Sequence, residues 1–147
     1  MDAISLLKED HRKVEKLFKE IEDAPGGKRE ELFKEINKEL TIHAELEEKL
    51  FYPKADEARE THELAIEAVE EHKQMKMVLA DLEQADKKTE QWMAGMKVLT
   101  EDVLHHVEEE ENELFPKIKK EVLSDKELST LGEQMQQLKT ELMATVG

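Results

Sequence analysis

His43-Ala44-Glu45-Leu46-Glu47 runs on to Leu50-Phe51-Tyr52-Pro53, and the same pattern returns as His106-Val107-Glu108-Glu109-Glu110 running on to Leu114-Phe115-Pro116. In each copy the glutamate follows the histidine by four residues and the proline by ten. A partner histidine precedes each copy: His11, 32 residues before His43, and His72, 34 residues before His106. The chain is therefore one unit, His…His-x3-Glu, written twice at an offset of 61 to 63 residues. Two such units folded face to face would gather four imidazoles and two carboxylates, a ligand set for two metal ions.

The composition fits helices. Of 147 residues, 4% are aromatic and 40% charged, with only 3 Pro and 5 Gly, which is the profile of a helical bundle rather than a sheet protein. The length suits one domain with a single core. No stretch approaches the ~20 apolar residues of a membrane span. The start, Met1-Asp2-Ala3-Ile4-Ser5, lacks the basic and apolar segments of a secretion signal, so a cytoplasmic protein is expected. With no cysteine, disulfides and thiolate metal sites are excluded. A net charge of −15 argues against nucleic acid and anionic membrane as partners, because both attract cationic surfaces.

Breaks and caps predict five helices. The first should span Ala3 to Asp23 and stop at Pro25-Gly26-Gly27; the second should run from Lys28 towards Ala58, kinked at Pro53. Thr61 is the expected cap of a third helix reaching Ala85, and Thr89 opens a fourth that passes Pro116. Ser124-Asp125-Lys126-Glu127 is a capping box that starts a fifth, reaching Met143. The expected fold is all-α: an up-down-up-down four-helix bundle over residues 1–122, with an additional C-terminal helix over 123–147 packed on it or used for association with another copy or partner.

The apolar stripes say where the special residues point. They read Ile4, Leu7, His11, Val14, Phe18, Ile21; then Phe33, Ile36, Leu40, His43, Glu47, Leu50; then Ile66, Val69, His72, Met75, Leu79, Leu82; then Met96, Leu99, Val103, His106, Glu110, Leu114. All six motif residues lie within the stripes. One histidine on an apolar face is weak evidence, since core histidines with a hydrogen bond are common. One His-x3-Glu pair in a Glu-rich helix is equally weak. The repeated set is another matter, because a buried carboxylate costs several kcal/mol unless it is paired or metal-bound. Nitrogen and oxygen donors without sulfur suit iron, manganese or zinc. The near-twofold pair of glutamates suits carboxylates bridging two ions, and the excess of His over Glu differs from ferritin-like Glu-x-x-His sites.

Over residues from about Ile4 to Lys119 these motifs, with the Phe-Pro endings, resemble a hemerythrin-like domain of the His-His-Glu type. That resemblance implies a non-haem di-iron centre binding dioxygen or a related small oxidant, peroxide or nitric oxide. It assigns His11 and His43 to one iron and His72 and His106 to the other, with Glu47, Glu110 and an oxo or hydroxo group as bridges. One departure stands out. Oxygen-carrying members have a fifth histidine one turn after the third-helix ligand, where this chain has Lys76. A less nitrogen-rich, more open site favours inner-sphere chemistry such as peroxidase- or catalase-like turnover, or sensing, over reversible oxygen carriage. His62, His105 and Tyr52 are candidate replacements, but helical phase turns His105 about 100° from His106 and Tyr52 about 140° from Glu47. A surface role is expected for all three, and a solvent-facing role for Lys76. The methionines at 75, 77, 93, 96, 135 and 143 are expected as core filling, and Trp92 as a plug at the bundle end. The alternative function is a regulatory iron-binding module whose folding and partner binding depend on metal.

Overall fold

A computed structural model describes residues 1–145 of the chain. Its first helix, α1 (Ala3–Glu22), is capped by Asp2, whose side chain accepts from the Ser5 amide at 2.8 Å. It ends before Pro25, and a short 3-10 turn at Gly26–Lys28 leads into α2 (Arg29–Leu46). The rod continues through a π-helical turn at Glu47–Phe51 into α3 (Tyr52–Glu57). Next come α4 (His62–Gln84) and α5 (Glu90–Glu109). A second π turn at Glu110–Leu114 leads to the short α6 (Phe115–Lys117), and a third at Ile118–Val122 completes that rod. The last helix is α7 (Asp125–Thr145). The fold is the expected four-rod bundle with an added C-terminal helix, which lies along α1 and α2. Positions 146 and 147 of the expected C-terminal segment lie outside the described residues.

Caps act locally much as the sequence predicts. Thr89 accepts from the Trp92 amide at 3.1 Å. The Ser124 hydroxyl accepts from the Glu127 amide at 3.1 Å while the Glu127 carboxylate accepts from the Ser124 amide at 3.0 Å, a reciprocal capping box. Thr61 differs: its buried hydroxyl donates back to the Ala55 carbonyl at 2.6 Å and makes no side-chain cap. It ties the end of α3 to the start of α4 instead.

The two motif prolines explain the first two π turns. Proline lacks an N–H and its ring crowds the carbonyl four residues back, so a regular turn cannot run through Pro53 or Pro116. Widening the preceding turn relieves this. The Tyr52 amide donates to the Glu47 carbonyl and the Phe115 amide to the Glu110 carbonyl, each five residues back. The rods bend without breaking.

The core falls into two apolar clusters. One gathers Leu7, Ile42, Leu46, Phe51, Phe115 and Ile118 with Leu131 and Met135 of α7. The other gathers Val14, Phe18, Phe33, Ile36, Leu79, Trp92 and Leu99 towards the opposite end. Trp92 plugs that end, its indole N–H donating to the Leu82 carbonyl at 2.9 Å. Between the clusters lies a buried polar layer that includes Asp10, His11, Glu47, His72, His106 and Glu110. The stripes err at Ile66, which is 49% exposed. Ala65 and Ala68 are buried in its place, on the face of α4 that packs against α3. Met96 and Met135 are core residues and Met75 and Met93 are partly buried, but Met77 and Met143 face solvent rather than filling core.

Candidate metal centre

Helical phase brings one histidine from each rod to the same level, and the rods pair them as the repeat does. The His11 and His43 rings lie 4.9 Å apart at 59°, and the His72 and His106 rings 4.8 Å apart at 58°. The two halves are near copies. Between the pairs stand Glu47, with no exposed surface, and Glu110. Glu110 offers Oε1 to His11 Nε2 at 3.1 Å and Oε2 to His106 Nε2 at 3.4 Å, one oxygen to each pair. Glu47 Oε1 lies 3.1 Å from His43 Nε2 and 3.1 Å from His72 Nε2. Ligand atoms of His11, His43, Glu47 and Glu110 converge within 4.8 Å, and so do those of Glu47, His72 and His106.

Every inward Nε2 is aimed from behind. His11 Nδ1 contacts Glu111 at 2.6 Å, His43 Nδ1 contacts Asp10 at 3.0 Å, His72 Nδ1 contacts Glu48 at 2.8 Å and His106 Nδ1 contacts Glu71 at 2.6 Å. A carboxylate on Nδ1 fixes the tautomer that leaves the Nε2 lone pair pointing inward, and it raises the basicity of the ring. These four acids are adjacent to the motif residues in sequence: Asp10 precedes His11, Glu71 precedes His72, Glu48 follows Glu47 and Glu111 follows Glu110. The extended repeat is therefore acid-His…His-x3-Glu-Glu. Its signal was present, since both halves carry the flanking acids in register, but acids are so frequent here that position alone did not mark them.

The inner atoms fit a cation better than one another. His43 Nε2 and both oxygens of Glu47 are buried with no hydrogen-bond partner, although the nitrogen and Oε1 lie close together. Short separation without alignment means that the groups face a shared point rather than each other. A carboxylate buried and unpaired in this way costs several kcal/mol. In the metal-free protein a proton partly fills the need. Burial disfavours the charged imidazole, yet the carboxylates of Glu47 and Asp10 overcome this and raise His43 to about 10. His106 moves the same way, against its burial, through Glu110, Glu47 and Glu71. Glu47 is pushed up by burial and held well below its ordinary range chiefly by His43.

Three candidates for the missing fifth ligand part company. His62 and His105 are exposed, as expected, beside Asp56 and Glu109. Lys76 is also exposed, its ammonium donating to Glu48 at 2.9 Å. Tyr52 overturns the expectation of a surface role: it is 2% exposed and points into the polar layer. Its hydroxyl donates to Glu110 Oε2 at 2.5 Å and lies 3.1 Å from both His72 Nε2 and His106 Nε2. The error is one of pitch. An ordinary helix turns Tyr52 about 140° from Glu47, but the π turn stacks residue i+5 over residue i.

A cavity of about 120 Å³ adjoins this layer on the side of the Trp92 cluster. His11, His43, His72 and His106 form its floor, Val14, Leu40, Met75, Leu79, Val103 and Val107 its walls, and Thr41, Glu45 and Lys76 its outer edge.

Such an architecture, with nitrogen donors in pairs and carboxylates between them inside a helical bundle, defines a candidate cation-binding site. The profile of the hemerythrin HHE cation binding domain family matches residues 2–118, and the chain belongs to that family. It is also similar to a crystal structure of a hemerythrin HHE cation binding domain-containing protein from Mycobacterium kansasii, with a TM-score of 0.87 and 29% identity over 99% of this chain and 89% of that one. A curated relative from Nostoc sp., a DNA nickase, is 30% identical over 129 residues, which make up 85% of this chain and 36% of the nickase. The chain thus spans about a third of that relative's length. No helix among the described residues is long and apolar enough to cross a membrane.

Proposed function

We propose that this chain is a non-haem di-iron protein that binds dioxygen, peroxide or nitric oxide, as a scavenger or a sensor. The observation that carries the reading is the set of inward Nε2 atoms around two buried carboxylates, with Glu47 left without any hydrogen bond. His11 and His43 would hold one ion and His72 and His106 the other, with Glu47 and Glu110 between them. When bound, such a pair supplies redox-active positions to which a small oxidant attaches directly. The chain's own contribution is orientation and exclusion. Glu111, Asp10, Glu48 and Glu71 hold the imidazoles in one tautomer and one orientation. The apolar walls of the 120 Å³ cavity admit a molecule of two or three heavy atoms and keep larger reductants outside. At its edge Lys76, anchored on Glu48, places a positive charge where an anionic or proton-requiring ligand would enter. A phosphate backbone would meet a net charge of −15, which weighs against extending the nickase relative's DNA chemistry to this chain.

A second reading, a regulatory module whose partner surface depends on metal, draws on one contact. Lys139 of α7 donates to Asp10 at 2.6 Å, and the other oxygen of Asp10 holds His43. The C-terminal helix is thereby wired to the centre.

Metal analysis with a visible spectrum tests the first reading. Protein purified aerobically should carry about two irons per chain and change its spectrum on adding peroxide or nitric oxide. Folded protein that stays metal-free after iron is offered would refute the di-iron assignment. Loaded protein that is inert to all three oxidants, yet exchanges a partner on chelation, would favour the regulatory reading.

A further inference from the structure

We propose that the Tyr52 phenolate is itself a ligand of the ion held by His72 and His106, so that the two ions of the centre are unlike. The inference rests on the di-iron reading above and goes beyond it. Tyr52 is the chain's single tyrosine, and the π turn carries its hydroxyl into the inner layer.

Three inner atoms form a nearly equilateral triangle. His72 Nε2 lies 3.2 Å from His106 Nε2, and the Tyr52 oxygen lies 3.1 Å from each. An octahedral ion with bonds of about 2.2 Å sets neighbouring ligands about 3.1 Å apart, the length of the three edges here. Hydrogen bonding satisfies the same triangle only in part. With both Nδ1 atoms held by Glu48 and Glu71, both Nε2 atoms converge with the phenol oxygen on one point, where a single shared proton could serve only one of the three edges. The phenol has one proton, aligned on Glu110 Oε2, and none for either nitrogen. A cation at the centre of the face would satisfy all three donors. Tyrosine oxygen is an established class of iron ligand in proteins. On metal uptake the phenolic proton leaves to solvent as the oxygen–metal bond forms, with no change of oxidation state.

The other half lacks this donor. Phe115 stands where the repeat puts Tyr52, and its ring stacks on His11 at 5.9 Å and 5°. Carbon cannot ligate. The ion under His11 and His43 would therefore keep a position free for the oxidant, while the ion under His72 and His106 is closed by Tyr52. Tyr52 reaches the layer from the Phe51–Phe115 cluster and is not part of the cavity wall, so it would not compete with the ligand for space.

The test uses the iron-loaded full chain. Wild type should show a visible phenolate-to-iron(III) charge-transfer band and, on excitation within it, tyrosinate ring vibrations in the resonance Raman spectrum. Both should vanish in Tyr52→Phe, which should lose iron to a chelator roughly tenfold faster or more. Phe115→Tyr offers a gain: a second phenolate at the His11/His43 ion should roughly double the band, following the twofold repeat. Iron-loaded wild type without tyrosinate vibrations would overturn the proposal and leave the di-iron reading intact. Wild type that takes up no iron would overturn both.

Discussion

The half of the centre under His11 and His43 and the half under His72 and His106 share ligands, tautomer-fixing acids and ring geometry, yet differ at two places. The first is Phe115 against Tyr52. The second lies behind the rings. Asp10, which holds His43, is clamped by Lys139 of α7, whereas its counterpart Glu71 faces His105 and Glu109 near the surface. A repeated unit fixes the positions of the candidate metal ligands; single substitutions on that frame make the halves unequal. On the proposed reading, what is alike would set metal binding, and what differs would set which side does the chemistry and which side feels the rest of the fold.

The largest effect is expected where the halves are alike. Glu47→Gln keeps the shape of the side chain and removes the charge shared between His43 and His72. Iron content should fall from about two per chain to near zero. The metal-free protein should melt modestly lower than wild type, because the protonated His43 ring loses one of the two carboxylates that hold it while Asp10 remains. Metal analysis and thermal melts of both forms check this. If Glu47→Gln binds iron normally, the carboxylate is not a bridge; if it collapses the metal-free fold, its role is structural.

Next come the acids behind the rings. Asp10→Asn and Glu71→Gln should each weaken metal retention by about 10- to 100-fold, the usual cost of losing a partner behind a metal-bound histidine. The contrast between them is the sharper observation. Asp10→Asn also strands the half-buried Lys139 ammonium, so it should lower the melting temperature as well. Glu71→Gln leaves no comparable cation unpaired in the core. Equal effects of the two on both retention and melting would break the comparison.

How much of this could be read from the chain depends on pitch. Where the helices keep 3.6 residues per turn, periodicity placed His11, His43, Glu47, His72, His106 and Glu110 in one layer. Caps at Thr89 and Ser124 set helix starts correctly because their hydrogen bonds are local. Tyr52 was lost because phase counted at 100° per residue fails across a π turn, although the proline directly after it was the visible cause. Ile66 was misplaced because an Ala-Ala face can pack closer than a branched residue, a choice that belongs to the neighbouring helix. The Lys139–Asp10 contact joins residues 129 apart, and no local pattern announces such a pairing.

The second histidine of each half also predicts a pH dependence of the metal-free protein. His43 is raised from 6.5 to about 10, and His106 is raised too, each by facing carboxylates that outweigh burial. A raised folded value means that the protonated ring contributes stability fully at pH below its unfolded value of 6.5. That contribution is lost as pH climbs through about 10. Metal-free protein should therefore melt several degrees lower at pH 10 than at pH 7. Iron-loaded protein should change less, since the metal takes the proton's place on Nε2. Melting curves with and without iron across this range decide it; parallel curves would mean that these histidines do not exchange a proton for a metal.

The smallest effect separates the halves most cleanly. Lys139→Met keeps the apolar stem beside α1 but removes the ammonium that holds Asp10. Asp10 would then be freer to turn away from His43, and the ring it orients would lose part of its constraint. Iron release should quicken by a few-fold, less than in Asp10→Asn because the direct contact survives. The loss should concern the ion under His11 and His43 alone, as no residue of α7 touches Glu48 or Glu71 among the hydrogen bonds and ion pairs of the described residues. Tyr52 supplies the readout, because its charge-transfer band would report only the ion under His72 and His106. In a chelator challenge of Lys139→Met, about half of the iron should leave early while the band persists. Simultaneous loss of iron and band would mean that the two ions leave together, and that α7 braces the whole bundle rather than one side of its centre.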